Sequence, residues 1–158
     1  MTRGRRVQLN FRAPRLYLAS GVTTIRTPGA FSPYSELNLK SSIATGELVG
    51  PRMYITGPYI TGAGASTQMK AVSSPEDARR VVAYWAEEGV DWFKAYTRIG
   101  HDELAAAIDE AHQRGVKVTG HLCSVSFTEA VGLGIDNIEY FRPTGEPDAD
   151  YDTYKHHL

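Results

Sequence analysis

The sequence has 158 residues, 42% of them hydrophobic, with 17 lysines and arginines against 18 aspartates and glutamates. That is enough apolar material for one domain with a core, and the near-neutral balance excludes the broad cationic field with which proteins meet nucleic acid or anionic membranes. The single cysteine, Cys123, excludes an internal disulfide and leaves the redox compartment open, though a reducing one fits, and with no signal segment in the sequence the expected location is the cytoplasm.

Taken in chain order, Arg3, Arg5 and Arg6 read as a solvated tail. The segment from Val7 to Leu18 is broken by Arg12, Pro14 and Arg15, so it lacks the apolar core of about 7–15 residues that a secretory signal requires. No run approaches the length of a membrane span. A first helix is expected around Pro14 to Ser20, then a strand from Gly21 to Thr27 closed by Pro28 and Gly29. Ser35 to Thr45 reads as a helix stopped at Gly46, and Arg52 to Thr56 as the second strand. From Gly57 the chain holds too many glycines and prolines for a helix, and a long loop is expected up to Ser73. Gly62 and Gly64 do not complete a dinucleotide fingerprint.

The clearest local signal follows. Ser74 is a helix cap, Pro75 occupies the first helical position, and Ala78, Val81, Val82, Trp85 and Ala86 line one face up to Gly89. A strand from Val90 to Tyr96 leads into a helix from Asp102 to Arg114, and a strand from Val116 to Leu122 follows Gly115. Ser126 with Glu129 forms a capping box for a short helix through Leu133, and Asp136 to Phe141 is the last strand. Beyond Arg142, two prolines and four acidic residues lack any apolar period, which marks 142–158 as a polar tail after a domain spanning 1–141. About five strands alternating with helices place the chain in the α/β class with a parallel sheet. Five units suit an open doubly wound sheet by length, because eight units of a closed barrel take roughly 250 residues.

Lys94 is the anomaly in this pattern, since a cation inside the apolar run Trp92-Phe93-Lys94-Ala95-Tyr96 must be paired, neutralised or used chemically. Side chains alternate along a strand, so Trp92, Lys94 and Tyr96 share one face, Thr119, His121 and Cys123 another, and Ile138 and Tyr140 a third. All sit near strand C-terminal ends, where parallel α/β enzymes place their chemistry. Lys94 and His121 are therefore the candidate catalytic residues, with Tyr96 and Tyr140 as candidate pocket residues. Residue type alone leaves room for a plainer account of each: a lysine stem buried behind an acidic partner, a hydrogen-bonded histidine, a space-filling tyrosine. His101 and His112 stand 11 residues apart on one helix and read as surface groups.

Gly21-Val22-Thr23-Thr24-Ile25-Arg26, Gly50-Pro51-Arg52-Met53 with Thr56-Gly57, Phe93-Lys94, Gly120-His121 and Gly134-Ile135-Asp136-Asn137-Ile138-Glu139 occur here in an order and spacing that resembles the amidohydrolase superfamily. The resemblance is to its imidazolonepropionase-like and Xaa-Pro dipeptidase-like branch, and runs from about Leu9 to Phe141. It implies a partial (β/α)8 barrel, an internal piece covering strands two to six, and a site with one or two divalent metal ions, expected to be zinc. On that likeness Lys94 is a carbamylated lysine bridging the metals and His121 a further ligand, and the reaction is hydrolysis of a carbon–nitrogen bond in a small amide or peptide by metal-activated hydroxide. The family's first-strand His-x-His pair is absent, and its strand-six histidine falls on Tyr140. Two other readings stay open: Lys94 as a Schiff-base nucleophile, and a half-barrel that pairs its edges with another copy as an assembly or binding module. In either barrel reading exposed edges predict self-association, with no nucleic acid or membrane partner.

Overall fold

A computed structural model describes residues 12–139. The expectations for the arginine tail, for Tyr140 and Phe141, and for the segment 142–158 lie outside the described residues.

Within them the chain alternates strand and helix. Helix α1 (Ala13–Ala19) precedes β1 (Thr24–Arg26), α2 (Pro33–Ala44) and β2 (Arg52–Tyr54). Strands β3 (Thr56–Thr61) and β4 (Lys70–Ala71) lead to α3 (Pro75–Glu87) and β5 (Trp92–Ala95). The units α4 (His101–Gln113) with β6 (Lys117–Gly120), and α5 (Phe127–Gly132) with β7 (Asn137–Ile138), complete the order. Every strand pairing is parallel: β1 pairs with β2, and the larger sheet runs β4-β3-β5-β6-β7.

The first part of the loop expected from Gly57 to Ser73 is instead strand through Thr61, with residues 62–69 left as the loop before β4. Residues 52–61 form one nearly continuous run, interrupted at Ile55, whose first half pairs with β1 and whose second half pairs with β5. Gly57 and Pro58 conceal this in the sequence. Both fall where the register against β5 shifts between Thr56 and Tyr59, so the missing N–H of Pro58 costs no ladder bond there. A Cβ at residue 57 would lie 3.2 Å from the Phe93 ring, a tight contact that a glycine avoids. The strands are otherwise shorter than expected: β1 lacks 21–23, and β5 and β6 each lose residues at both ends.

The helices follow their capping signals. Ser74 accepts a hydrogen bond from Asp77 N at 3.2 Å, and Ser126 with Glu129 closes a reciprocal capping box. Gly89 and Gly115 stand at φ +92° and +71°, the left-handed stop that lets β5 and β6 begin at once. Helices α3 and α4 bury Val82, Trp85, Leu104 and Ile108, and the core joins these to Phe93, Ile60 and Val118. Two aspartates at equivalent places, Asp91 and Asp136, staple strands together. Asp91 accepts from Ile55 N at 2.7 Å and from Lys40, and Asp136 accepts from Val118 N at 2.8 Å and lies 2.9 Å from His112 Nε2.

The sheet is curved, and one contact proves it. On a flat sheet β1 and β7 would be four strand steps or about 19 Å apart, farther than two side chains span. Yet Arg26 of β1 lies 3.1 Å from Glu139, the residue after β7. The strands wrap around a concave face as part of a barrel does. No helix among the described residues is long and apolar enough to cross a membrane.

Candidate functional site

The concave face carries the charge. Trp92 and Lys94 alternate with buried Phe93 and Ala95 on β5, and register sets Trp92 beside Lys117 and Lys94 beside Thr119 on β6. Thr119 pairs with Asn137, whose amide donates to Thr119 Oγ1 at 2.9 Å. That pairing decides the parity of the last strand: Asn137, and with it Glu139 two residues on, faces Lys94. The sequence reading had grouped Ile138 with Tyr140 on one face; among the described residues the register against Thr119 turns Asn137 and Glu139 toward Lys94.

Lys94 is 3% exposed, and its ammonium donates to Glu139 Oε2. Arg26 donates from Nη1 and Nη2 to Glu139 Oε1 at 3.2 and 3.1 Å, and Thr119 Oγ1 donates to the same oxygen at 3.0 Å. The Arg26 guanidinium lies 4.8 Å from the centre of the Trp92 ring, with Lys117 Nζ 5.5 Å from the same ring. Burial pushes the Lys94 amine below its ordinary value, with Glu139 pulling it back. Burial pushes Glu139 up, but Lys94, Thr119 and Arg26 outweigh it and hold the carboxyl below its usual range. The Glu139 role went unread in the sequence, although the acidic partner anticipated for Lys94 is this residue.

His121 stands just past β6, its backbone N–H bonded to Ala95 O at 3.0 Å. Its ring meets Tyr96 edge-on with centroids 5.1 Å apart, and the row continues through Tyr59 at 5.2 Å to Phe31 at a further 5.0 Å. Burial and the charge of Lys94 both push the imidazole down, against a smaller pull from Glu139, and so favour its neutral form. The structure thus gathers Lys94, Tyr96 and His121 at one end of the parallel strands. A cleft of about 560 Å³ opens beside this network, lined by Arg26 and Tyr54 at the ends of β1 and β2 and by Asp91, Trp92 and Lys117 around the starts of β5 and β6. His101 and His112 are exposed and bonded to Asp102 and Asp136, away from this site.

Among the described residues no group of three or more His, Cys, Asp and Glu side chains could hold a metal ion. The Lys94 nitrogen donates to Glu139.

No family model matches the sequence, and no characterised protein matches it by sequence search. Solved structures do match. A candidate prolidase from Bifidobacterium longum is 33% identical, with a TM-score of 0.69 over 79% of this chain and 34% of its own. A Xaa-Pro dipeptidase holding methionine in its active site superposes with a TM-score of 0.71 at 19% identity, over 87% of this chain and 43% of its own. The bottromycin amidohydrolase gives 0.70 at 23% identity, over 89% and 34%. The fold is theirs. The chain spans 34% to 43% of the length of these proteins.

Proposed function

We propose that this chain carries the central strands of an amidohydrolase-type hydrolase that cleaves a carbon–nitrogen bond in a small amide or peptide. The observation that supports this most is the convergence of Lys94, Glu139, Arg26 and His121 on the concave side of a parallel sheet, in a chain 33% identical to a candidate prolidase. An amide carbonyl set against Lys94 and Arg26 would have its developing negative charge stabilised by two fixed cations. The neutral imidazole of His121 is suited to take a proton from an attacking water and pass it to the leaving nitrogen. Tyr96, in edge contact with His121, would orient that ring. Zinc, which the resemblance brings, would need ligands beyond those the described residues gather. The commitment of the Lys94 amine to Glu139 gives a Schiff-base reading no advantage.

The test is hydrolysis of a panel of dipeptides and N-acyl amino acids by the purified chain, with and without zinc and bicarbonate. Release of amine that disappears in Lys94→Met and His121→Ala supports the reading. Turnover unchanged in both variants, or absent under every condition, refutes it for this chain.

A further inference from the structure

Around the Lys94 nitrogen the charges are arranged against the carbamate that the resemblance implies. Carbamylation forms a bond from the amine nitrogen to the carbon of CO2. Counted from the ammonium, two protons leave, and a side chain of charge +1 becomes one of charge −1. Here that nitrogen donates to Glu139 Oε2, while Glu139 Oε1 is held by Arg26 at 3.2 and 3.1 Å and by Thr119 at 3.0 Å.

The formal balance then decides the matter. Arg26, Lys94 and Glu139 together carry +1 as they stand. With Lys94 carbamylated they would carry −1, and two anions would face each other in a site where Lys94 is 3% exposed and Glu139 largely buried. Arg26 is already turned to Glu139, so one guanidinium would have to serve both. A divalent ion between the two anions would relieve the repulsion, but the described residues supply no group of three ligands to hold one.

We infer that Glu139 holds Lys94 as an unmodified ammonium, so that Lys94 acts in this site as a fixed cation and not as a carbamate. Arg26, seated on Trp92 at 4.8 Å, and Thr119 fix the carboxylate that does this. The inference rests on the hydrolase reading only for the expectation it replaces. Glu139 is thereby a residue that sets which chemical form of Lys94 the site presents, and its neutralisation is the change that would open Lys94 to CO2. A glutamine at 139 would keep the side-chain length, remove the opposing charge and offer an amide N–H to a carbamate oxygen.

The experiment uses metal-free protein equilibrated with carbon-13 bicarbonate and read by carbon-13 NMR for a carbamate signal, with Lys94→Met as the blank. The wild-type spectrum is expected to match that blank. Glu139→Gln is expected to show an added carbamate signal that vanishes in Glu139→Gln combined with Lys94→Met. A wild-type signal above the blank overturns the inference, as does a folded Glu139→Gln without the signal. Should Glu139→Gln not fold, the comparison of wild type with Lys94→Met decides alone. No metal, substrate or turnover enters this measurement. A failed hydrolysis assay therefore leaves it standing, whereas a carbamate in the wild type would overturn it together with the cationic role given to Lys94, and the turnover assay decides separately whether the chain hydrolyses amides.

Discussion

Removing either partner of the Lys94–Glu139 pair should not cost the same, and the difference follows from who else holds each group. Glu139→Ala strands Lys94, which is 3% exposed and has Glu139 as its ion-pair partner, beside the like charge of Arg26. Leaving a buried charge uncompensated costs about 3–5 kcal/mol. Lys94→Met keeps most of the stem volume, and Glu139 retains Arg26 at two hydrogen bonds and Thr119 at one. Its loss is then one charge-assisted bond, about 1.5–3 kcal/mol before the apolar gain of methionine offsets part of it. With Lys94 already replaced, Glu139→Ala leaves no buried ammonium behind, so the double variant should be more stable than the sum of the single losses predicts, by about 1–3 kcal/mol.

Urea unfolding followed by circular dichroism reads this directly. At a slope of about 2 kcal/mol per molar, a loss of 4 kcal/mol moves the midpoint down by about 2 M, a large part of the range for a domain of ordinary stability. Lys94→Met costing more than Glu139→Ala, or strict additivity in the double variant, would refute the assignment of Glu139 as the charge that makes Lys94 tolerable.

Other outcomes follow from the same geometry. Because His121 titrates below its ordinary value, the unfolded chain binds the proton first as pH falls, so stability should drop between pH 7 and the folded value; His121→Gln should flatten that slope in urea titrations. Glu139 is likewise held below its ordinary value, so its contribution is present at neutral pH and lost as pH falls through its depressed value, and Glu139→Gln should be less acid-sensitive there than wild type. Asp136→Ala should cost about 1–3 kcal/mol by leaving Val118 N without its acceptor, while exposed Asp102→Ala stays near zero; equal effects would sink the staple account. We expect the purified chain to self-associate, as edges of a partial barrel do, and sedimentation showing a monomer at all concentrations would end that expectation.

Much of the fold was legible because each signal was local. The caps at Ser74 and Ser126, the glycine stops and the apolar stripes of α3 and α4 are decided within a turn or two of chain, and the structure places these elements within a residue or two of the reading. The strand at Thr56–Thr61 was hidden by Gly57 and Pro58, two residues that argue against a strand unless a register shift and the Phe93 ring, both contributed by β5, make room for them. Neither is visible from residues 56–61 alone.

The same division runs through the site. Lys94 announced itself, because a cation in an apolar run is a local contradiction. Its partner did not, since whether Glu139 or its neighbours face inward depends on the Thr119 to Asn137 register, and a slip of one residue exchanges the faces. Arg26 was still further from reach, 113 residues from Glu139 in sequence and joined to it only because the sheet curls. The two groups that define the electrostatics of the concave face were thus set by long-range pairing. A motif that marks the lysine names where the chemistry sits, while the charge of the carboxylate brought against it determines what form that lysine takes.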